Sequence, residues 1–298
     1  MKLIISCFLC FFIAFYSYSG VNNKEQVNIK YLLKCPKSPL GLIVLFPKFN
    51  NTLKSTDIQT NIDEKYYSEN YATIIIDYKK DFFLKKKDFL QIYNLIEKVL
   101  KSNKINEDKV IIGGFSTGGT IALSYSIYAS KLKKRIKPNS IIVGDSPVDF
   151  EAFYNNKIEI IKRDFNYRAV SEARFIVNYL KKQLGSPKVG NSNYISYSPY
   201  LNSNLLNSNI RYLKDYNIIF YSEPDLAWYK TNIGYELEDL NSFQIDKLIK
   251  ELKRISQKKI THIKTSKAGF INNKRHPHSW SIINPEKLFK WTEENFTN

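Results

Sequence analysis

Histidine and cysteine are scarce in this 298-residue chain, at three residues each. Cys7 and Cys10 fall in an apolar N-terminal segment, so a chain processed there keeps only Cys35. Such a chain has no internal disulfide, and its fold must rest on a hydrophobic core. Residues 20–298 are enough for one sizeable domain with an insertion. One thiol and three histidines give no zinc-ligand spacing. The glycine-rich dinucleotide fingerprint and the Walker loop are both missing. No metal or cofactor is therefore expected. Internal repeats and low-complexity blocks are also missing.

Acidic residues are outnumbered, with 28 Asp plus Glu against 45 Lys plus Arg and a net charge of +17. A basic surface can hold nucleic acid. Here the lysines are scattered, apart from Lys85-Lys86-Lys87 and the stretch Lys131 to Lys137, and no nucleic-acid module signature accompanies them. Lys, Asn, Ile and Tyr are all abundant, as in a proteome of biased composition. The charge reads as a solvated surface, with no nucleic-acid partner.

Long hydrophobic runs are confined to the N-terminus. Lys2 precedes an apolar run from Leu3 to Tyr16, and Ser17-Tyr18-Ser19 offers small residues for a signal peptidase ahead of Gly20. Residues 1–19 thus read as an export signal, leaving a secreted or periplasmic protein without stable membrane association. The run is short for a membrane span. An uncleaved anchor is the alternative. Ile4-Ile5-Ser6-Cys7 has some look of a lipoprotein box but lies too near the N-terminus.

Beyond the signal, apolar runs and amphipathic segments alternate. Gly41 to Phe46, Ala72 to Asp77, Val110 to Ile112, Ser140 to Gly144, Tyr216 to Tyr221 and Lys259 to Lys264 read as strands, with Val27 to Leu33 as an edge strand. Helical spacing marks Lys86 to Ser102, a segment ending near Tyr128, Phe243 to Ile255, and a closing helix after Asn284-Pro285. One helix could fit between Phe46 and Ala72. The pattern predicts an α/β fold, with a mostly parallel sheet and helices on both faces. Strand rhythm stops from 150 to 211, which predicts a cap or lid insertion. Within it a helix is expected around Ala173 to Leu184 and a tyrosine-rich loop from Tyr194 to Tyr200.

The most informative segment is Gly114-Phe115-Ser116-Thr117-Gly118, set between the strand from Val110 and a helix. A serine on a sharp strand-to-helix turn projects its hydroxyl clear of the backbone. The strained turn needs small residues two positions before and after it. Gly119, Thr120 and Ala122 let the helix approach the sheet. The N–H groups of the following helix point to where an oxyanion would form. Thr117 would supply one such N–H, and Lys48 or Phe49 the second, since Pro47 has none.

A serine hydroxyl at neutral pH needs a base, and the base an orienting acid. His262 lies within a predicted strand and reads as structural. His276 and His278 occupy the loop before the closing helix; His278, next to Ser279-Trp280, is the expected base and His276 the alternative. For the acid, Asp225 follows the strand ending at Tyr221, and Pro224 fixes a turn that would swing it toward the histidine loop. Glu223 and Asp145 are the other candidates.

Three pieces carry a family resemblance: Gly113 to Gly119 around the serine, Glu223-Pro224-Asp225 followed by aromatics, and Arg275-His276-Pro277-His278-Ser279-Trp280. With them the chain resembles the α/β-hydrolases, and more narrowly the secreted esterase-like serine hydrolases of bacteria. The resemblance implies a nucleophile at Ser116, an acid at Asp225 and a base at His278. It implies no particular substrate; the expected activity is hydrolysis of a carboxylic ester through an acyl-enzyme, with a small-molecule or acyl-ester substrate. The family's usual glycine-rich oxyanion pattern is departed from at Lys48. A peptidase or acyltransferase with the same triad is an alternative activity. A non-catalytic binding protein on the scaffold is another.

Overall fold

The computed structural model describes residues 29–78, 81–187 and 192–296. The expected export signal at 1–19 lies outside the described residues. Among the described residues no helix is long and apolar enough to cross a membrane.

Seven strands form one sheet: β1 (Tyr31–Lys34), β2 (Leu42–Phe46), β3 (Ala72–Ile76), β4 (Val110–Phe115), β5 (Ser140–Gly144), β6 (Asn217–Ser222) and β7 (Ile260–Lys264). Their spatial order is β1-β3-β2-β4-β5-β6-β7. All neighbours run parallel except β1 against β3. A short hairpin, β8 (Phe270–Ile271) with β9 (Lys274–Arg275), follows the sheet. The helices are α1 (Leu53–Thr60), α2 (Ile62–Ser68), α3 (Lys86–Ser102), α4 (Thr117–Lys131), α5 (Phe150–Arg163), α6 (Tyr167–Leu184), α7 (Ser192–Tyr197), α8 (Leu226–Ile233), α9 (Asn241–Ile255) and α10 (Pro285–Phe296).

The unbroken apolar runs follow from a sheet buried on both faces. Alternate residues serve two cores. Leu42, Val44, Ile112 and Phe220 point to one face, where Phe89, Leu123 and Leu248 of α3, α4 and α9 meet them. Ile43, Leu45, Ile111 and Ile219 point to the other, covered by Tyr66 of α2 and by Leu288 and Trp291 of α10. The mostly parallel sheet with helices on both faces is the expected architecture.

Three local expectations change. Two helices, not one, separate β2 from β3, broken at Asn61, whose φ of 50° is left-handed. The tyrosine-rich stretch expected as a loop contains α7. Helix α5 was not expected at all. Its buried stripe of Phe150, Lys157 and Ile160 includes a lysine, which masks the helical period in the sequence.

Lys157 is 5 % exposed. Its ammonium donates to the Tyr235 hydroxyl at 2.9 Å and lies over the Phe153 and Tyr235 rings. Two further ties run the same way. Arg163 pairs with Asp239, and Asn166 Nδ2 donates to the Asn232 carbonyl at 3.1 Å. The segment after β5 and the segment after β6 thus clasp each other, and they share a small core of Ile160, Ala173, Tyr229, Tyr235 and Leu240.

Candidate active site

Ser116 stands between β4 and α4 with φ 55° and ψ −127°, a conformation costly for a residue with a side chain. The surrounding glycines show what this turn demands. A Cβ on Gly114 would come within 2.3 Å of Gly118 backbone, and one on Gly118 within 2.2 Å of the Phe46 carbonyl oxygen. The first helical turn is thereby pressed against both its own strand and the end of β2. Gly119 meets Ser146 in the same way, which brings α4 onto the end of β5.

The strand ends form a staircase. Phe115 is paired with Gly144. The next residues are Ser116 on β4 and Asp145 on β5. Ser116 N–H donates to the Gly144 carbonyl at 2.6 Å, and Asp145 N–H to the Tyr221 carbonyl at 2.7 Å. Asp145 also has a left-handed backbone, φ 39°, and its carbonyl accepts from Asn241 Nδ2 at 2.8 Å. Its side chain is buried, 7 % exposed, and its Oδ2 lies 2.6 Å from His278 Nδ1.

His278 arrives from the loop after the β8–β9 hairpin. Its ring packs on Phe115, the residue before Ser116, with centroids 4.8 Å apart. Trp280, buried, packs on the same ring at 5.3 Å. An aromatic anchor therefore sets the height of the histidine above the β4 end. With Nδ1 engaged by Asp145, Nε2 is the nitrogen left for other chemistry.

Asp225 does not contact His278, contrary to the sequence expectation. It caps α8, with Oδ1 accepting from Trp228 N–H at 3.1 Å, and its Oδ2 pairs with Arg275 at 2.8 Å. The Pro224 turn directs it into the helix that follows, and Arg275 takes the second oxygen. Glu223 is engaged as well. Its Oε2 accepts from Thr265 Oγ1 at 2.8 Å, Ala268 N–H at 2.9 Å and Gly269 N–H at 3.1 Å, and it pairs with Arg275. The acid positions after β6 thus brace the loop that carries the histidines, while the carboxylate on His278 comes from β5. The sequence signal for Asp145 was its place directly after a strand; only the register shows it beside the serine.

His276 faces the Trp228 ring at 5.4 Å. Burial holds its imidazole below the ordinary value, and the charges of His278 and Lys48 add to this. His262 lies in β7, where Ser222 Oγ is 2.8 Å from its Nε2 and Asp246 is 3.1 Å from its Nδ1.

The expected oxyanion donors separate. Phe49 N–H donates to Thr117 Oγ1 at 2.7 Å and is not open to a ligand. That bond fixes the Lys48 peptide at the N-terminus of α4. The N–H groups of Thr117 and Lys48 have no acceptor among the described residues. Beside them the Phe49 ring packs on Phe82 at 4.7 Å and Phe175 at 5.8 Å, an apolar wall shared with α6. No group of three or more metal-ligating side chains occurs among the described residues.

No protein-family model and no curated protein sequence matches the chain. Solved structures do. The chain is similar to fungal esterases from Rhizomucor miehei, with a TM-score of 0.58 and 12% identity over 90% of this chain and 80% of that one. Carboxyl esterase 2 from the mycorrhizal fungus Tuber melanosporum gives 0.56 and 14% over 90% and 81%. The Pyrobaculum calidifontis esterase gives 0.55 and 10% over 90% and 80%. At such identities the likeness is one of fold. The chain has the α/β-hydrolase fold.

Proposed function

We propose that this protein is a serine hydrolase acting on carboxylic esters, with Ser116 as nucleophile, His278 as base and Asp145 as the orienting acid. The observation that carries the reading is a strained serine at the end of β4 and, packed on the ring of the preceding Phe115, a histidine whose Nδ1 is held by a buried carboxylate at the end of β5. In this reading His278 Nε2 takes the Ser116 proton as the hydroxyl attacks the acyl carbonyl, then returns it to the leaving alcohol. Asp145 fixes the tautomer with Nδ1–H toward itself and stabilises the imidazolium. The N–H groups of Thr117 and Lys48 receive the charge that develops on the carbonyl oxygen. Water then hydrolyses the acyl-enzyme with His278 again as base. The helices of 150–211 serve as a cap, whose Phe175 completes the wall beside Phe49. The fold likeness to several esterases supports the choice of esters.

A fluorophosphonate probe tests the mechanism. The wild-type protein is expected to label at Ser116, identified by peptide mapping, and Ser116→Ala to lose both labelling and ester hydrolysis while keeping its fold. Labelling of that variant at the wild-type level would sink the assignment.

A further inference from the structure

The loop after β2 lacks the adaptability of glycine, since no glycine occurs between Gly41 and Gly113. Three contacts set its path instead. A Cβ on Gly118 would come within 2.7 Å of the Pro47 carbonyl oxygen, so the peptide joining Pro47 to Lys48 rests on the first turn of α4. Asn51 N–H donates to the Lys48 carbonyl at 3.0 Å and closes a turn, with Asn50 left-handed at φ 64°. Between these two, Phe49 N–H donates to Thr117 Oγ1 at 2.7 Å. Thr117 is 8 % exposed, which leaves little room for water to replace the hydroxyl.

The third contact differs from the others because a side chain makes it. It also singles out one donor. Pro47 has no N–H and that of Phe49 is taken, so Lys48 N–H is the one left in this stretch for an oxyanion. Thr117 thus bears on the site through both of its donor and acceptor ends. Its N–H belongs to the residue after Ser116, and its hydroxyl fixes the residue next to the second donor.

We propose that the Thr117 hydroxyl is a positioning group for the reaction: it holds the Lys48 N–H alongside the Thr117 N–H, so that both donate to one developing oxyanion. The inference rests on Ser116 being the nucleophile. It adds a side chain to a component otherwise built from backbone. A misplaced donor costs rate rather than binding, because the charge it meets exists only in the transition state. The Phe49 ring keeps its packing on Phe82 at 4.7 Å, so ground-state binding is preserved.

Three variants and one inhibitor test it. Thr117→Ala and Thr117→Val remove the hydroxyl and keep the N–H, whereas Thr117→Ser keeps both. With 4-nitrophenyl butyrate, kcat is expected to fall by about 10- to 100-fold in the first two, and Thr117→Ser should recover most of it. KM should stay within about threefold of the wild type. A trifluoromethyl ketone of matching chain length adds to the serine as an anionic hemiketal. Its Ki should rise by the same factor as kcat falls, while the Ki of the corresponding secondary alcohol, which forms no oxyanion, stays unchanged. A merely structural role would not separate the two inhibitors. Wild-type kcat in folded Thr117→Ala overturns the inference, as does a Thr117→Ser protein as slow as Thr117→Ala. A crystal structure of the wild type with the ketone decides even if the variants do not fold. The hemiketal oxygen should accept from the Lys48 and Thr117 N–H groups with the Phe49 to Thr117 bond retained, and an oxygen held by other donors overturns the inference. Absence of both fluorophosphonate labelling and turnover in the wild type would instead remove the hydrolase reading on which it rests.

Discussion

β5 and β6 are adjacent parallel strands, with Gly144 opposite Tyr221, and each ends in a buried acid. The two ends are used differently. Asp145, at the β5 end, has its backbone pinned by Tyr221 and Asn241 and directs its Oδ2 to His278. Glu223, at the β6 end, accepts three hydrogen bonds from residues 265 to 269 and pairs with Arg275. Asp225 completes the same arginine's shell. A carboxylate becomes available for an imidazole only where cations and N–H donors have not already claimed it. Arg275, three residues before His278, claims the β6 acids. They hold the loop, and the β5 acid meets the histidine.

Three substitutions test this division of labour. The largest effect is expected from Asp145→Asn. An amide at that position favours the wrong imidazole tautomer, and turnover should fall by about 10⁴-fold with the fold intact, as in the well-studied triad of chymotrypsin-like proteases. Ester kinetics with a circular-dichroism control measures it, and near-normal turnover would remove Asp145 from the mechanism. Glu223→Gln comes next, with an expected loss of stability of roughly 2–4 kcal/mol. The amide cannot accept from the Ala268 and Gly269 N–H groups as a carboxylate does, and Arg275 loses its buried partner. Denaturant titration reads the stability. A normal midpoint with abolished turnover would make Glu223 the acid instead. The smallest effect belongs to Asp225→Asn. Asparagine still caps α8 and only a partly exposed ion pair is weakened, so the cost should be below about 1 kcal/mol and turnover within a few-fold of wild type. A 10³-fold loss of turnover there would reverse the comparison.

Much of the fold was legible because a doubly covered parallel sheet writes itself as short apolar runs. Ser140 to Gly144 coincides with β5, and the strands around Val44, Ile74 and Ile219 differ from expectation by a residue or so at their ends. Ser116 was legible because its turn excludes side chains on both sides, which fixes the glycine spacing. The carboxylate that meets His278 was harder to read. Asp145 and Asp225 both lie between the serine and the histidines in chain order, and both follow a strand. What separates them is the β4–β5 register and the reach of Arg275, neither of which is local in sequence. Likewise α5 was obscured because Lys157 occupies a buried position on its inner stripe. Its partner Tyr235 is 78 residues away, so no local pattern announces it.

That clasp bears on how the protein could be redesigned. An insertion between two strands invites excision, to shorten the route to the serine. Here the insertion is not a detachable module. Trimming α5 and α6 would strand Tyr229, Tyr235 and Leu240 in water, since half of their small core comes from Ile160, Ala169 and Ala173. It would also leave Asp239 without Arg163. A graft that exchanges this region between related scaffolds must carry both stretches of chain together, and its natural boundaries are the ends of the strands rather than the ends of either loop.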